Sequence, residues 1–386
     1  MMFGAVIGDI VGSRFEFDNH RSKQFEMFAP ACFATDDTYM TCAIAQAIMR
    51  TCAHIPMGSS GYDFEFHNML AHNAVISLRD FGQRYPNVGY GEMFKEWLHS
   101  SSPRPYNSFG NGAAMRISPI GFAASSEEAV MDMAKTVTQV THNHAEGIKG
   151  AQAVASTIYL ARRGALKSEI REYVARHFYN LDFQIDDIRL SYKFSESCQT
   201  TVPQAIECFL ESYSFEDSIR LAISLGGDSD TLAAITGSMA QAYYGIPCAM
   251  INSAMTYLDD ELRGLWQDWQ KVFYEDLRPR KVFVKYLGKL KMLKELGDFY
   301  LERSVRNSLY GVQIESEVVC DEFCAELENE IRQFFWQWPE LKEQKGYERL
   351  YDVQNSPHTA RQTLRRGIQD GSLEKRLLEI AGTDIL

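Results

Sequence analysis

Two short acidic clusters stand far apart in the chain: Thr35-Asp36-Asp37-Thr38, and Asp228-Ser229-Asp230-Thr231 entered through Gly226-Gly227. Together they offer four carboxylates with flanking hydroxyls, and each opens an apolar run with helical spacing. Hard oxygen ligands of this kind suit Mg²⁺, Mn²⁺ or Ca²⁺ better than zinc, which more often takes His and Cys. Asp and Thr are also favoured helix N-caps, so either cluster alone is explained by a helix start. Two caps do not need four carboxylates, however, and carboxylates brought together raise one another's pKa unless cations compensate. Two divalent ions would neutralise the four charges. Such a centre can polarise a substrate oxygen, orient a diol or phosphate and lower the pKa of a bound water, which are the needs of hydrolysis. Helix N-termini by themselves repel a cation. Carboxylates that accept backbone N–H groups with one lone pair and hold metal with another resolve that conflict.

Other residues have chemistry to offer. Gly4, Gly8 and Gly12 recur every four residues, lining one face of a helix that another backbone can approach closely; Asp9 sits beside that face and Glu16 follows its end. Each glycine costs a helix about 1 kcal/mol relative to alanine, so three imply either tight packing or ligand access. The stretch from Ser108 to Met115 places Gly110, Asn111 and Gly112 before an apolar segment, where backbone N–H groups can approach a pyrophosphate. The stretch lacks a third glycine and a Walker lysine, so it also reads as an ordinary loop-to-helix turn. His142 and His144 lie two apart and share no helix face, which argues against a paired zinc site and for structural hydrogen bonding.

The elements that must position these groups are helical. Apolar residues recur at helical spacing through Cys42, Ala45, Ala47, Ile48 and Met49, through Ala151, Val154, Ala155, Ile158 and Tyr159, and through Leu232, Ile235, Met239 and Tyr243. Strand-like alternation is rare, so the expected fold class is all-α. Loops are expected at residues 57–61, 85–91, 100–112 and 245–247, where Gly, Pro, Ser and Asn gather. The 386 residues exceed the usual single core, and the last 136 carry nearly as many charges as the first 250. That shift divides the chain into a main domain over 1–270 and a charge-rich helical extension over 271–386. In the extension Phe334, Phe335, Trp336 and Trp338 form either a small core or a partner-binding group.

A net charge of −12 opposes general nucleic-acid or anionic-membrane binding. Residues 1–11 carry Asp9 and no basic flank, unlike a signal peptide or a membrane span, so a soluble cytoplasmic protein is expected. Eight cysteines without a CxxC pair read as reduced thiols, and Cys320 with Cys324 as helix packing.

Taken in order, Gly8-Asp9-Ile10-Val11-Gly12-Ser13 with Glu16, Thr35-Asp36-Asp37-Thr38, Ser108-Phe109-Gly110-Asn111-Gly112-Ala113-Ala114-Met115-Arg116, Thr141-His142-Asn143-His144 and Gly226-Gly227-Asp228-Ser229-Asp230-Thr231 resemble the motifs of the ADP-ribosylglycohydrolase family. The resemblance runs from about residue 2 to about 260. It implies a compact orthogonal multi-helix domain with a binuclear Mg²⁺ centre, which Mn²⁺ can also fill. Its ligands would be Thr35, Asp36, Asp37, Asp228, Asp230 and Thr231. The metals would hold the distal ribose of ADP-ribose while water displaces the acceptor, reversing ADP-ribosylation of a protein or small molecule. Ser108, Phe109, Gly110, Asn111, Gly112, Met115 and His142 would line the substrate cleft, with Phe109 and Met115 near adenine. Glu16 matches a gate or acid/base glutamate of the branch acting on serine-linked ADP-ribose, and Asp36 and Asp37 are further candidates for the base. Two other readings stay open: a non-catalytic, crystallin-like nucleotide-binding module, and a Mg²⁺ phosphohydrolase.

Overall fold

The computed structural model describes residues 2–55 and 64–273. In chain order the helices are α1 (Phe3–Gly12), α2 (Asp36–His54), α3 (Phe64–Arg84), α4 (Glu92–His99), α5 (Gly112–Met115), α6 (Ser118–Ala123), α7 (Glu127–Thr138) and α8 (Ala145–Arg162). There follow α9 (Lys167–His177), α10 (Ile185–Ile188), α11 (Cys198–Glu211), α12 (Phe215–Leu225), α13 (Ser229–Tyr244), α14 (Cys248–Met255) and α15 (Asp260–Val272). Among the described residues the only strand-type pairing is an isolated bridge between Gly110 and Ser197. The protein is all-α, as its periodicity implies.

Helix α1 is buried on every side, which suits a sequence apolar all round. It lies along α13, itself buried from Ser229 to Gln241. The pair forms the axis of the domain: α8, α11 and α12 pack on α13, α2 packs on α1, and α3 covers α2. The aliphatic and aromatic core around this axis includes Ile7, Ile10, Met40, Phe81, Phe209 and Trp269.

The glycines of α1 make the axial contact possible. A Cβ on Gly4 would collide with the Gly237 carbonyl oxygen, and one on Gly8 with that of Ala233. One on Gly12 would sit 2.5 Å from the Asp230 Cα. The two helices therefore run antiparallel with backbones touching, and the Gln241 side chain accepts the Gly4 N–H at 2.6 Å. Tight packing and access to a site are one feature here, because the contact ends at Asp230.

Loops expected at 85–91, 100–112 and 245–247 connect helices; the one expected at 57–61 lies outside the described residues. So does the extension from residue 274 on, with Cys320, Cys324 and the aromatic group at 334–338. Cys32, Cys42, Cys52, Cys198 and Cys208 are free thiols. No helix among the described residues is long and apolar enough to cross a membrane.

Candidate metal and substrate site

The C-terminus of α1 and the N-termini of α2 and α13 meet around Asp9. This carboxylate, fully buried, accepts the Thr35 N–H at 2.9 Å and the Thr38 N–H at 3.0 Å through Oδ2. The Thr38 hydroxyl also donates to Oδ2, and the Thr35 hydroxyl donates to Oδ1 at 2.6 Å. Asp9 thus caps α2 from a neighbouring helix. Burial raises its pKa to about 6 against the pull of those hydrogen bonds.

That arrangement decides the helix-cap question. Ser126, Ser214 and Asp259 cap α7, α12 and α15 through their own side chains. Thr35 and Asp228 occupy the same position before α2 and α13, yet neither makes a side-chain cap bond. Their oxygens are turned elsewhere.

The two clusters face one another. Thr35 Oγ1 lies 3.4 Å from Asp230 Oδ2, and Thr231 Oγ1 donates to Asp37 Oδ2 at 3.2 Å. Glu16, Asp228 and Asp230 each offer a carboxylate oxygen, all within 4.8 Å of one another. Asp37 Oδ1 is buried with no hydrogen-bond partner. Asp36 opens α2 with its amide on the Val88 carbonyl at 2.9 Å, and its Oδ1 lies 3.0 Å from where a Cβ on Gly89 would be. Gly89 has φ +111°, a conformation in which any other residue would be strained and would crowd Asp36.

Every carboxyl here is pushed upward. Burial raises Asp36 to about 8, with Asp9 and Asp228 adding repulsion. Burial raises Glu16 to about 7, with help from Asp228, Asp9 and Glu196. Asp37, Asp228 and Asp230 move the same way, chiefly from burial. No Lys or Arg forms an ion pair with any of them among the described residues. Clustered, desolvated carboxylates and an orphaned Asp37 oxygen are the donor set a hard divalent cation requires. The residues present fit such an ion.

The loop before α5 frames the cluster. Asn111 Nδ2 donates to Asp228 Oδ2 at 2.7 Å, so this side chain orients a carboxylate. Two of the loop's amides are already engaged, Gly110 N–H with Ser108 Oγ at 3.1 Å and Asn111 N–H with the Glu196 carbonyl at 2.6 Å. Those two N–H groups are therefore not free to meet a pyrophosphate in this geometry. Buried His142 supports the loop from beneath: its Nε2 would lie 3.3 Å from a Cβ on Gly112, and its Nδ1 pairs with Thr141 Oγ1 at 2.8 Å. Burial, together with nearby Arg116, holds His142 well below the usual histidine range, hence neutral. Phe109 is exposed and meets His144 edge to face at 5.4 Å, while Ser108 and Met115 are buried. His144 itself caps α8, accepting the Glu146 N–H at 3.1 Å.

Several contributors escape a reading of the sequence. Asp9 was visible as a lone acid on an apolar helix, but its bonds to Thr35 and Thr38 span more than twenty residues. Asn19 clasps both the Glu16 segment and the Gly226-Gly227 turn: it accepts the Gly227 N–H at 2.8 Å and donates to the Gly227 carbonyl at 2.9 Å and the Glu16 carbonyl at 3.1 Å. That turn needs its glycines, since both have φ near +75°. The segment 194–198, paired to the Asn111 loop, carries no periodic signal.

An all-helical domain that gathers carboxylates from three helix ends around one point defines a class of acidic-site hydrolase. Residues 1–274 match the family described as ADP-ribosylglycohydrolase, and the chain belongs to it. It is accordingly an enzyme of the glycohydrolase type. Among its relatives, the mouse protein ADP-ribosylhydrolase ARH3 is 27% identical over 322 residues, spanning 63% of this chain and 82% of its own. The Pseudomonas putida ADP-ribosylarginine hydrolase Tri1 is 26% identical over 274 residues, spanning 64% and 70%. A solved structure described as an ADP-ribosylglycohydrolase-related protein complex shares the fold, with a TM-score of 0.50 at 21% identity, over 70% of this chain and 96% of that one.

Proposed function

We propose that the chain is a Mg²⁺-dependent ADP-ribosyl-acceptor hydrolase that frees ADP-ribose from a modified side chain or small molecule. The observation that carries this reading is the set of buried carboxylates without basic partners, with Asp37 Oδ1 left unbonded. Thr35, Asp36, Asp37, Asp228, Asp230 and Thr231 would hold two divalent ions, Mg²⁺ or Mn²⁺. When bound, the ions supply positive charge that compensates the carboxylates and fixes ribose hydroxyls. The chain's own groups do the rest. Asp9 fixes Thr35, Asn111 fixes Asp228, and the Asn111 loop with Phe109 forms the wall for the nucleotide.

Glu16 is the proton-handling group. Half-buried at the end of the α1 segment, with a pKa lifted to about 7, it exists in both protonation states near neutrality. A carboxyl so placed can take a proton from attacking water or give one to the departing acceptor. Similarity to proteins named ADP-ribosylhydrolase and ADP-ribosylarginine hydrolase supports the same bond class.

The test is a panel of ADP-ribosylated acceptors assayed for ADP-ribose release with and without Mg²⁺, run beside Asp37→Asn and Asp228→Asn. Release should require the cation and fall at least a hundredfold in both variants while they remain folded. Phosphate as the product, or ADP-ribose binding without release from any acceptor, would overturn the proposal.

A further inference from the structure

Phe17, the residue after Glu16, is 85% exposed, and its ring stacks on Phe194, 44% exposed, with centroids 6.1 Å apart and planes at 25°. Two large rings paired with each other in water form a surface rather than a core. Both are tethered to the acidic site. Asn19, two residues beyond Phe17, joins that segment to Gly227, next to Asp228. Phe194 begins the stretch whose Glu196 carbonyl accepts the Asn111 N–H and whose Cys198 N–H donates to the Phe109 carbonyl at 3.0 Å. Asn111 in turn holds Asp228. The stacked rings therefore stand on the rim of the carboxylate cluster, on the side where Glu16 enters it.

The rim is electronegative. Glu196 is close enough to Glu16 and Asp228 to push both carboxyls upward. Arg21, a basic residue near this rim, turns its guanidinium to the Leu225 and Tyr192 carbonyls at 2.6 and 2.7 Å, so its hydrogen-bonding capacity is directed at the backbone. Lys193, beside Phe194, is exposed. Aromatic faces next to carboxylates attract a flat, weakly hydrated cation, and a guanidinium has that shape and charge. A neutral hydroxyl-bearing side chain gains nothing comparable there.

We propose that Phe17, Phe194 and Glu196 select the acceptor, favouring a planar guanidinium-type leaving group over a neutral hydroxyl one. This rests on the hydrolase reading above. ADP-ribosylserine, whose acceptor is a neutral hydroxyl, is the competing substrate.

The experiment measures kcat/KM for ADP-ribose release from ADP-ribosylarginine and ADP-ribosylserine peptides of the same sequence context. The full chain is compared with Phe17→Ala/Phe194→Ala, Phe17→Leu/Phe194→Leu and Glu196→Gln, and ADP-ribose binding by calorimetry reports an intact floor in each. The wild type should prefer the arginine substrate. Both phenylalanine double variants should lose about tenfold on it, with the serine substrate within about twofold and ADP-ribose binding unchanged. The leucine pair keeps apolar bulk and lacks the π-faces, so recovery in that variant would overturn the cation–π selection. Equal losses on both substrates, no loss on arginine, or a wild-type preference for serine would also overturn it. Release from neither acceptor by the wild type would overturn this selection, and release from no acceptor of the wider panel would bring down the hydrolase reading with it.

Discussion

Replacing Asp9 separates two roles that its carboxylate combines, capping α2 and aiming Thr35. In Asp9→Asn the amide oxygen takes the place of Oδ2 and keeps the Thr35 N–H, Thr38 N–H and Thr38 hydroxyl bonds. The amide nitrogen then faces Thr35 Oγ1, where Oδ1 stood at 2.6 Å. The Thr35 hydroxyl must rotate, use a lone pair on that N–H and aim its proton at Asp230 Oδ2, 3.4 Å away. Three bonds to a charged acceptor become neutral ones at about 1 kcal/mol each, offset by relief from burying a carboxylate, for a net change of about 1–2 kcal/mol. The re-aimed Thr35 oxygen, with one lone pair taken by the amide, is a weaker ligand, by about tenfold, or ~1.4 kcal/mol, in cation affinity. Asp9→Ala instead strands two buried amides at about 2 kcal/mol each, roughly 4 kcal/mol together. Calorimetric melting and a Mg²⁺ titration of ADP-ribose release measure both effects. The Asn variant should melt within about 5 °C of wild type yet need about ten times more Mg²⁺ for half-maximal rate; the Ala variant should melt about 10 °C lower. An unchanged Mg²⁺ requirement in Asp9→Asn, or a wild-type melting point in Asp9→Ala, would refute the reasoning.

Gly8→Ala drives a methyl into the Ala233 carbonyl and should cost about 3 kcal/mol, read as a lower urea midpoint with an unchanged slope. Folded-state pKa values of about 6, 7 and 8 for Asp9, Glu16 and Asp36 lie above the ordinary carboxyl range, so without cations the folded chain binds more protons than the unfolded one between roughly pH 4 and 8. Stability of the chelator-treated protein should therefore fall as pH rises through that window, and Mg²⁺ should raise the melting temperature more at pH 8 than at pH 5. A cation effect independent of pH would contradict the clustering. Asn111→Leu removes the donor at 2.7 Å from Asp228 and should raise the Mg²⁺ requirement about tenfold, with a smaller effect on KM; a change confined to KM would assign Asn111 to substrate alone.

The helices and both acidic clusters were legible because each rests on local information. Periodicity placed α2, α8 and α13, and the glycine spacing announced a close backbone neighbour for α1. What those glycines touch was not legible, since Ala233 and Gly237 lie more than two hundred residues away. In sequence Asp9 is only a neighbour of the glycine face; the helix it caps begins at residue 36. The glycines of the Asn111 loop suit either an ordinary loop-to-helix turn or, beside the acidic clusters, a phosphate contact. Two of its amides, those of Gly110 and Asn111, are engaged by Ser108 and by the Glu196 carbonyl, and segment 194–198 has no pattern that announces a partner. Ordinary polar residues at irregular spacing act here through long-range pairing, which composition and period do not encode.

The backbone contact between α1 and α13 carries a mechanical consequence. Most helix pairs meet through side chains, which can repack and let one helix slide by a fraction of a turn. At Gly4, Gly8 and Gly12 no side chain stands between the two, so the axis has no intermediate register in which to creep. Asp9 and Asp230 ride on that axis as fixed benchmarks, whereas Phe17 and Phe194 hang from loops outside it. A substitution at the rim therefore leaves the register of the floor untouched.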